Sequence, residues 1–241
     1  MRENEFINYL KRNNYSKNTI ITYKNILKKY KQYYGNIASL KKELRLHYHS
    51  PNTVWTHYNV LCSYMKWSKD KRIETFKNIK LPKIPKVYME VFSKKYLMRK
   101  TEIKVEGDDD SIAEKKLLVR FLFETGIRAS ELYQIIEINK KTIKILGKGN
   151  KIREVFHNWE TTKRLKPFNY TTKTLRLWVK EVLGDQFTPH SIRRSSATHL
   201  LLNGANPKMV MLQLGHEKIE TTFRYLNLSL EDNWKIYNKA M

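Results

Sequence analysis

The chain has 241 residues, 41% of them hydrophobic, enough to fill one large core or two ordinary ones. Its 47 Lys and Arg against 23 Asp and Glu leave a formal charge of +24, and self-repulsion on that scale points to a polyanionic partner, nucleic acid first and an acidic membrane surface second. The single cysteine, Cys62, excludes an internal disulfide and a cysteine-based zinc site, and no apolar run reaches secretory or membrane-spanning length, which predicts a soluble chain acting in the cytoplasm.

In chain order, a short helix is expected at Glu5–Lys11. A longer one starts after Ser16, where Ile20, Tyr23, Leu27, Tyr30 and Tyr34 recur at helical spacing and Gly35 offers a terminator. Ser50-Pro51 reads as an N-cap with proline in the first turn of a helix carrying Val54, Tyr58, Leu61 and Met65. Residues 1–80 therefore read as a helical domain. Pro82 and Pro85 hold residues 81–90 extended as a linker, and residues 91–241 form a second domain. There, Ser111-x-x-Glu114 has the form of a capping box before a long helix ending at Gly126, which delivers "IRASEL" to a helix-to-helix corner. The stretch "TIKILGKGNKIREVF" alternates β-branched residues around a Gly-rich turn and predicts a hairpin. Helices follow at Thr171–Leu183, from Thr188-Pro189 to Asn203, from Asn206-Pro207 to Leu214 and around Thr221–Leu226, and Ser229-x-x-Asp232 is placed to cap a last one bearing Trp234 and Tyr237. The fold class expected is mainly α with a small β-hairpin or sheet.

Some of these segments place polar groups where chemistry is possible. Arg128 follows Gly126 and stands three residues before Glu131, which suits either a surface ion pair or an anion contact. His190 and Arg193 share one face of a helix start, beside its positive end, an arrangement that suits a phosphate and equally a solvated basic turn. Lys148 lies between glycines on the hairpin turn, where it can approach a ligand or, with Lys151, grip DNA without chemistry. His216 after Gly215 fits a satisfied core histidine, and Tyr225 in "TTFRYL" fits packing as well as it fits a nucleophile. His47-x-His49 would suit a strand, but no carboxylate–histidine metal pattern, nucleotide-binding loop or nucleophilic-serine elbow is present.

Taken in order, "TGIRASEL", "GKGNKIR", "HSIRRSSATHLLLNGANPKMVMLQLGH" and "TTFRYL" resemble the catalytic boxes of the tyrosine recombinase, or phage integrase, family, and especially its compact Xer-type and archaeal or viral members. "YSKNTIITYKNILKKY" resembles that family's N-terminal core-binding helices, so the resemblance covers nearly the whole chain. It implies a two-domain clamp of a helical core-binding domain and a catalytic domain. It also implies that Arg128 and Arg193 hold the scissile phosphate, His190 assists proton transfer, His216 hydrogen-bonds the phosphate, Lys148 protonates the leaving 5′ oxygen and Tyr225 attacks phosphorus. Glu131 matches an acidic position expected to support the corner. Arg194 stands where the family often has histidine, a position that is not catalytic.

The activity implied is site-specific strand exchange through a 3′-phosphotyrosyl enzyme and a Holliday junction, without cofactor, metal or ATP. The partner implied is double-stranded DNA at a paired site, held by a tetramer that is monomeric without DNA. Lys17, Asn18, Asn52 and Thr53, near the starts of the two N-terminal helices, are candidates for base contacts or ordinary caps. A type IB topoisomerase shares the chemistry on one duplex, and a noncatalytic DNA-binding regulator shares the charge; site preference separates the first and any nicking activity the second.

Overall fold

The computed structural model describes residues 2–85, 91–103, 109–147, 151–168, 170–223, 234, 237 and 238. The chain divides into two compact units, Met1–Val87 and Tyr88–Met241, a boundary inside the proline-containing stretch 81–90.

The first unit is helical: α1 (Glu3–Arg12), α2 (Lys17–Tyr30), α3 (Ile37–Arg45), α4 (Pro51–Trp67) and α5 (Ile73–Lys77). Ser16 caps α2 by accepting the Thr19 N–H, as its position before the apolar stripe suggested. Ser50 makes no such bond; Pro51 at the first turn starts α4, and the Ser50 hydroxyl instead meets that of Thr53 at 2.8 Å. The second helix stops at Tyr30 and passes through a 3-10 turn, Lys31–Tyr33, so Gly35 is not its left-handed terminator. Arg72 closes this corner instead. Its guanidinium grips Asp70 through two bonds of 2.9 and 2.7 Å and reaches the Tyr34 and Gly35 carbonyls, while the Tyr34 hydroxyl donates to Asp70 at 2.6 Å. Phe6, Leu10, Leu27, Leu40, Leu61 and Met65 are fully buried in the core of this unit, each worth about 1.5–3 kcal/mol against exposure. Cys62 packs beside them as a buried free thiol.

The second unit begins with α6 (Lys94–Lys100) and α7 (Asp110–Thr125). The α7 cap is Asp109, whose carboxylate accepts the Ile112 N–H at 2.7 Å, and not Ser111; in an acidic run the first residue able to reach the third N–H takes the position. Gly126 ends α7 at φ 64°, and a Cβ there would stand 2.8 Å from Leu214 Cδ2. The expected helix-to-helix corner is instead a 3-10 segment, Ala129–Gln134, leading into a strand.

Strands β1 (Ile135–Ile138), β2 (Thr142–Leu146) and β3 (Ile152–Phe156) form an antiparallel sheet in the order β1-β2-β3, so the expected hairpin gains a third strand. Ile143, Ile145 and Val155 point from it into a core shared with α7, α9 (Thr172–Leu183) and α10 (Pro189–Leu202), after the short α8 (Trp159–Thr162). The unit continues with α11 (Pro207–Leu214) and α12 (Ile219–Phe223). Thr171, Thr188 and Asn206, where the sequence placed the starts of three helices, cap α9, α10 and α11 with their side chains.

Buried Gln213 on α11 exchanges bonds of 2.9 and 2.8 Å with the Phe156 backbone and donates to the Thr125 carbonyl, tying the sheet, α7 and α11 together. Trp234 and Tyr237 are exposed and stack at 5.9 Å, whereas Ser229 and Asp232, the expected cap of a last helix, lie outside the described residues. Among the described residues, no helix is long and apolar enough to cross a membrane.

Candidate active site

The corner after α7 is organised around one buried carboxylate. Glu131 is 2% exposed; its Oε2 accepts the Arg128 N–H at 2.7 Å and its Oε1 accepts Arg128 Nη1 at 2.7 Å. Arg153, on β3, donates to both oxygens at 2.9 Å, and Arg193 Nη1 lies 4.0 Å from Oε2. Burial alone would raise the Glu131 pKa, but hydrogen bonds from Arg153 and from the Arg128 backbone and side chain, with the Arg153 charge, bring it down to about 2. The carboxylate is thus ionised and fixes the guanidiniums around it.

Arg193 projects from α10 into the unit and is 1% exposed. It donates to the Gly126 carbonyl at 2.7 Å and to the Leu214 carbonyl at 2.5 Å, the C-terminal ends of α7 and α11. Two helix ends, each carrying partial negative charge, hold a cation where side-chain packing alone would exclude one. Arg128, less buried, also reaches the Gly215 carbonyl at 3.4 Å.

Arg128, His190 and Arg193 line an open cleft of about 520 Å³ together with Thr188 and, from α9, Lys173 and Arg176. His190 stands exposed in the first turn of α10; partial desolvation, then the charges of Arg194, Arg193 and Arg128, lower its pKa. His216 is buried beside Gly215, and its Nδ1 pairs with the Thr222 hydroxyl of α12 at 2.9 Å. Burial followed by the charges of Arg193, Arg128 and Arg153 pushes the His216 pKa down to about 4, so it is neutral at physiological pH. Arg194, one residue on from Arg193, is buried.

Of the sequence candidates, Arg128, Arg193 and His190 therefore meet at one cleft, with His216 and Glu131 against the same arginines. Lys148 and Tyr225 lie outside the described residues. Sequence reasoning missed Arg153 as the partner of Glu131, and Lys173 and Arg176, although their spacing of three on α9 marked them as sharing a face.

Lys151 is exposed and pairs loosely with Glu217 at 3.5 Å. In the first unit, Asn52 and Thr53 at the start of α4 line a cleft of about 360 Å³ with Thr22 and Asn25 of α2, Thr56 and His57. Lys17 and Asn18 are exposed at the start of α2 and do not line it. His47 and His49 fall in turns after α3 and not in a strand, because the chain continues with the short-range bonds Tyr48 N–H to Arg45 and Ser50 N–H to His47. Among the described residues, no group of three His, Cys, Asp or Glu side chains is placed to hold a metal ion.

Comparison with known proteins adds family evidence to this geometry. The model of the phage integrase family matches residues 161–231. The tyrosine recombinase XerC of Staphylococcus epidermidis is 32% identical over 167 residues, covering 56% of this chain and 56% of its own. XerC of Corynebacterium glutamicum is 29% identical over 162 residues, covering 55% and 53%. The chain spans about half the length of the curated relatives it matches. Among solved structures, a lambda integrase dimer bound to a COC′ core site aligns with a TM-score of 0.71 at 12% identity, covering 92% of this chain and 93% of that one. The Tn1549 transposon integrase in complex with circular intermediate DNA aligns with a TM-score of 0.69 at 16% identity, covering 99% and 98%. Residues 161–231 thus resemble the phage integrase family, and the chain shares the fold of the lambda and Tn1549 integrase structures.

Proposed function

We propose that this protein is a site-specific DNA recombinase that breaks and rejoins strands through a 3′-phosphotyrosyl intermediate and a Holliday junction. The observation that carries the reading is the convergence of Arg128, His190 and Arg193 on one cleft, with buried His216 alongside. A phosphodiester resists attack because it is already anionic, and preorganised guanidiniums act most strongly where charge grows in the transition state. Arg128 and Arg193 hold the non-bridging oxygens, and neutral His216 hydrogen-bonds to one of them.

Tyr225 supplies the nucleophile. A phenol of ordinary pKa is ionised in about one molecule in a thousand at neutral pH, a handicap of roughly 4 kcal/mol that surrounding cations reduce. As the phenol oxygen bonds to phosphorus its proton passes to His190 or to water, the bond to the 5′ oxygen breaks, and Lys148 protonates that oxygen. The phosphotyrosine keeps the energy of the broken linkage, so a 5′ hydroxyl from a partner strand reverses the step without ATP or metal.

In the same reading, residues 1–80 form the core-binding domain and residues 91–241 the catalytic domain, acting on duplex DNA as a tetramer on paired sites, with the protein monomeric without DNA. The net charge of +24 supports this, since phosphate neutralisation supplies much of the affinity. Asn52 and Thr53, with Lys17, Asn18 and Lys151, contribute to site recognition. The test is Tyr225→Phe on a nicked duplex that traps the covalent complex. Duplex binding should persist and the protein–DNA adduct should disappear; an adduct of undiminished yield in this variant would remove Tyr225 from its role.

A further inference from the structure

The proposed chemistry assigns no task to Arg153, the arginine that shares Glu131 with Arg128, and its surroundings are unusually specific. It stands on β3 opposite Ile145, faces inward, and spends both terminal nitrogens on Glu131. Its side chain is 15% exposed, and among the described residues its buried Nε has no hydrogen-bond partner. Leaving a donor unsatisfied is costly, so the guanidinium is held there by what it touches on its other side.

That other side is backbone. A Cβ on Gly215, at φ 64°, would stand 2.7 Å from Arg153 Nε and 2.8 Å from Cζ, and a Cβ on Gly147 would stand 3.2 Å from Nη1. The guanidinium is therefore wedged between the Glu131 carboxylate and two glycine backbones, one of them directly preceding His216. Gly215 in turn accepts Arg128 Nη2. The same carboxylate takes the Arg128 guanidinium on Oε1, the Arg128 backbone N–H on Oε2, and Arg153 on both.

We propose that Arg153 is a positioning residue: by occupying Glu131 and seating the Gly215 backbone, it keeps the Arg128 guanidinium turned toward the cleft and His216 in place. Without it, Glu131 presents both oxygens to Arg128, and a planar fork opposite a free carboxylate closes onto it in bidentate fashion. Arg128 then faces its own corner instead of a substrate phosphate. This inference rests on the recombinase reading and adds to it a residue that does not touch DNA.

The experiment is a double-mutant cycle on single-turnover adduct formation with the full chain. Adduct formation by the unmodified chain is read first; its absence on any duplex overturns the recombinase reading and this inference with it. Arg153→Met is expected to slow adduct formation by about 10- to 100-fold, the scale of a misplaced binding group, while duplex affinity stays within about twofold. In an Arg128→Lys background the same substitution should cost no more than about twofold, because the interaction it supports is already gone; in a Lys148→Ala background it should keep its full cost. Costs that add in the Arg128→Lys background, beside an active unmodified chain, overturn this inference alone. So does an Arg153→Met chain that cleaves at the parental rate. Should Arg153→Met fail to bind duplex, Arg153→Lys, which keeps a cation against Glu131 but loses the fork, takes its place in the cycle, and additive costs or a parental cleavage rate overturn the inference there as well.

Discussion

Arg193→Lys is expected to lower the rate of adduct formation by about 10²–10³-fold, the usual cost of losing a preorganised donor aimed at developing charge. Lysine keeps the charge but replaces a rigid fork by a single point donor. Arg193 spans from the Gly126 carbonyl to the Leu214 carbonyl, and no ammonium reaches both while facing the cleft. Binding behaves differently. Many phosphates share the electrostatic affinity, so the dissociation constant for duplex in low salt should rise by less than about tenfold. Single-turnover cleavage and a binding titration on the same preparation separate the two quantities. A variant that cleaves within about fivefold of the parent would place the phosphate elsewhere than in this cleft.

Glu131→Gln should show the second large effect, on stability. The carboxylate accepts from Arg128 and Arg153 and lies 4.0 Å from Arg193, so its neutralisation leaves buried guanidiniums facing one another. Breaking one partner out of such an arrangement costs about 3–5 kcal/mol, which lowers the melting temperature by roughly 10 °C for a unit of this size. The pH dependence has a defined sign. The folded pKa of about 2 lies below the ordinary carboxylate value, so the stabilisation is complete above the unfolded pKa near 4.5 and is lost as pH falls toward 2. Thermal melts of parent and variant should therefore differ most at neutral pH and converge in acid. A Glu131→Gln chain melting within about 2 °C of the parent at pH 7 would show the guanidiniums to be satisfied without the carboxylate.

What the sequence made legible follows the range of the forces involved. The helix starts at Thr171, Thr188 and Asn206 were readable because the cap bonds that fix them close within three residues, and Gly126 was readable because the left-handed conformation is itself local. The hairpin was readable from its alternation and its turn. Local rules failed where several residues competed for one role, as when Asp109 took the cap position read onto Ser111. They also failed for α3, and for α5, α6, α8 and β1, the last four too short for periodicity to mark.

The site divides in the same way. Arg128, His190, Arg193 and His216 stand out as chemical residue types at ordered intervals, and their meeting at one place follows from the fold. The Glu131–Arg153 pair, 22 residues apart, joins a 3-10 corner to a strand, and nothing near either residue announces the other. Lys173 and Arg176 were hidden for a different reason: a basic helix face in a chain of +24 looks like solvated surface until a cleft is seen beneath it.

The claim on which the whole account turns is that one phenol oxygen, belonging to Tyr225, becomes bonded to DNA phosphorus at this arginine cleft. Trapping the covalent complex on a nicked duplex, digesting it with nuclease and trypsin, and locating the residual phosphate by mass spectrometry reads that bond directly. The account predicts phosphate on Tyr225 in the peptide that begins at this residue and ends at Lys235. Phosphate on any other side chain, Tyr237 included, would contradict it.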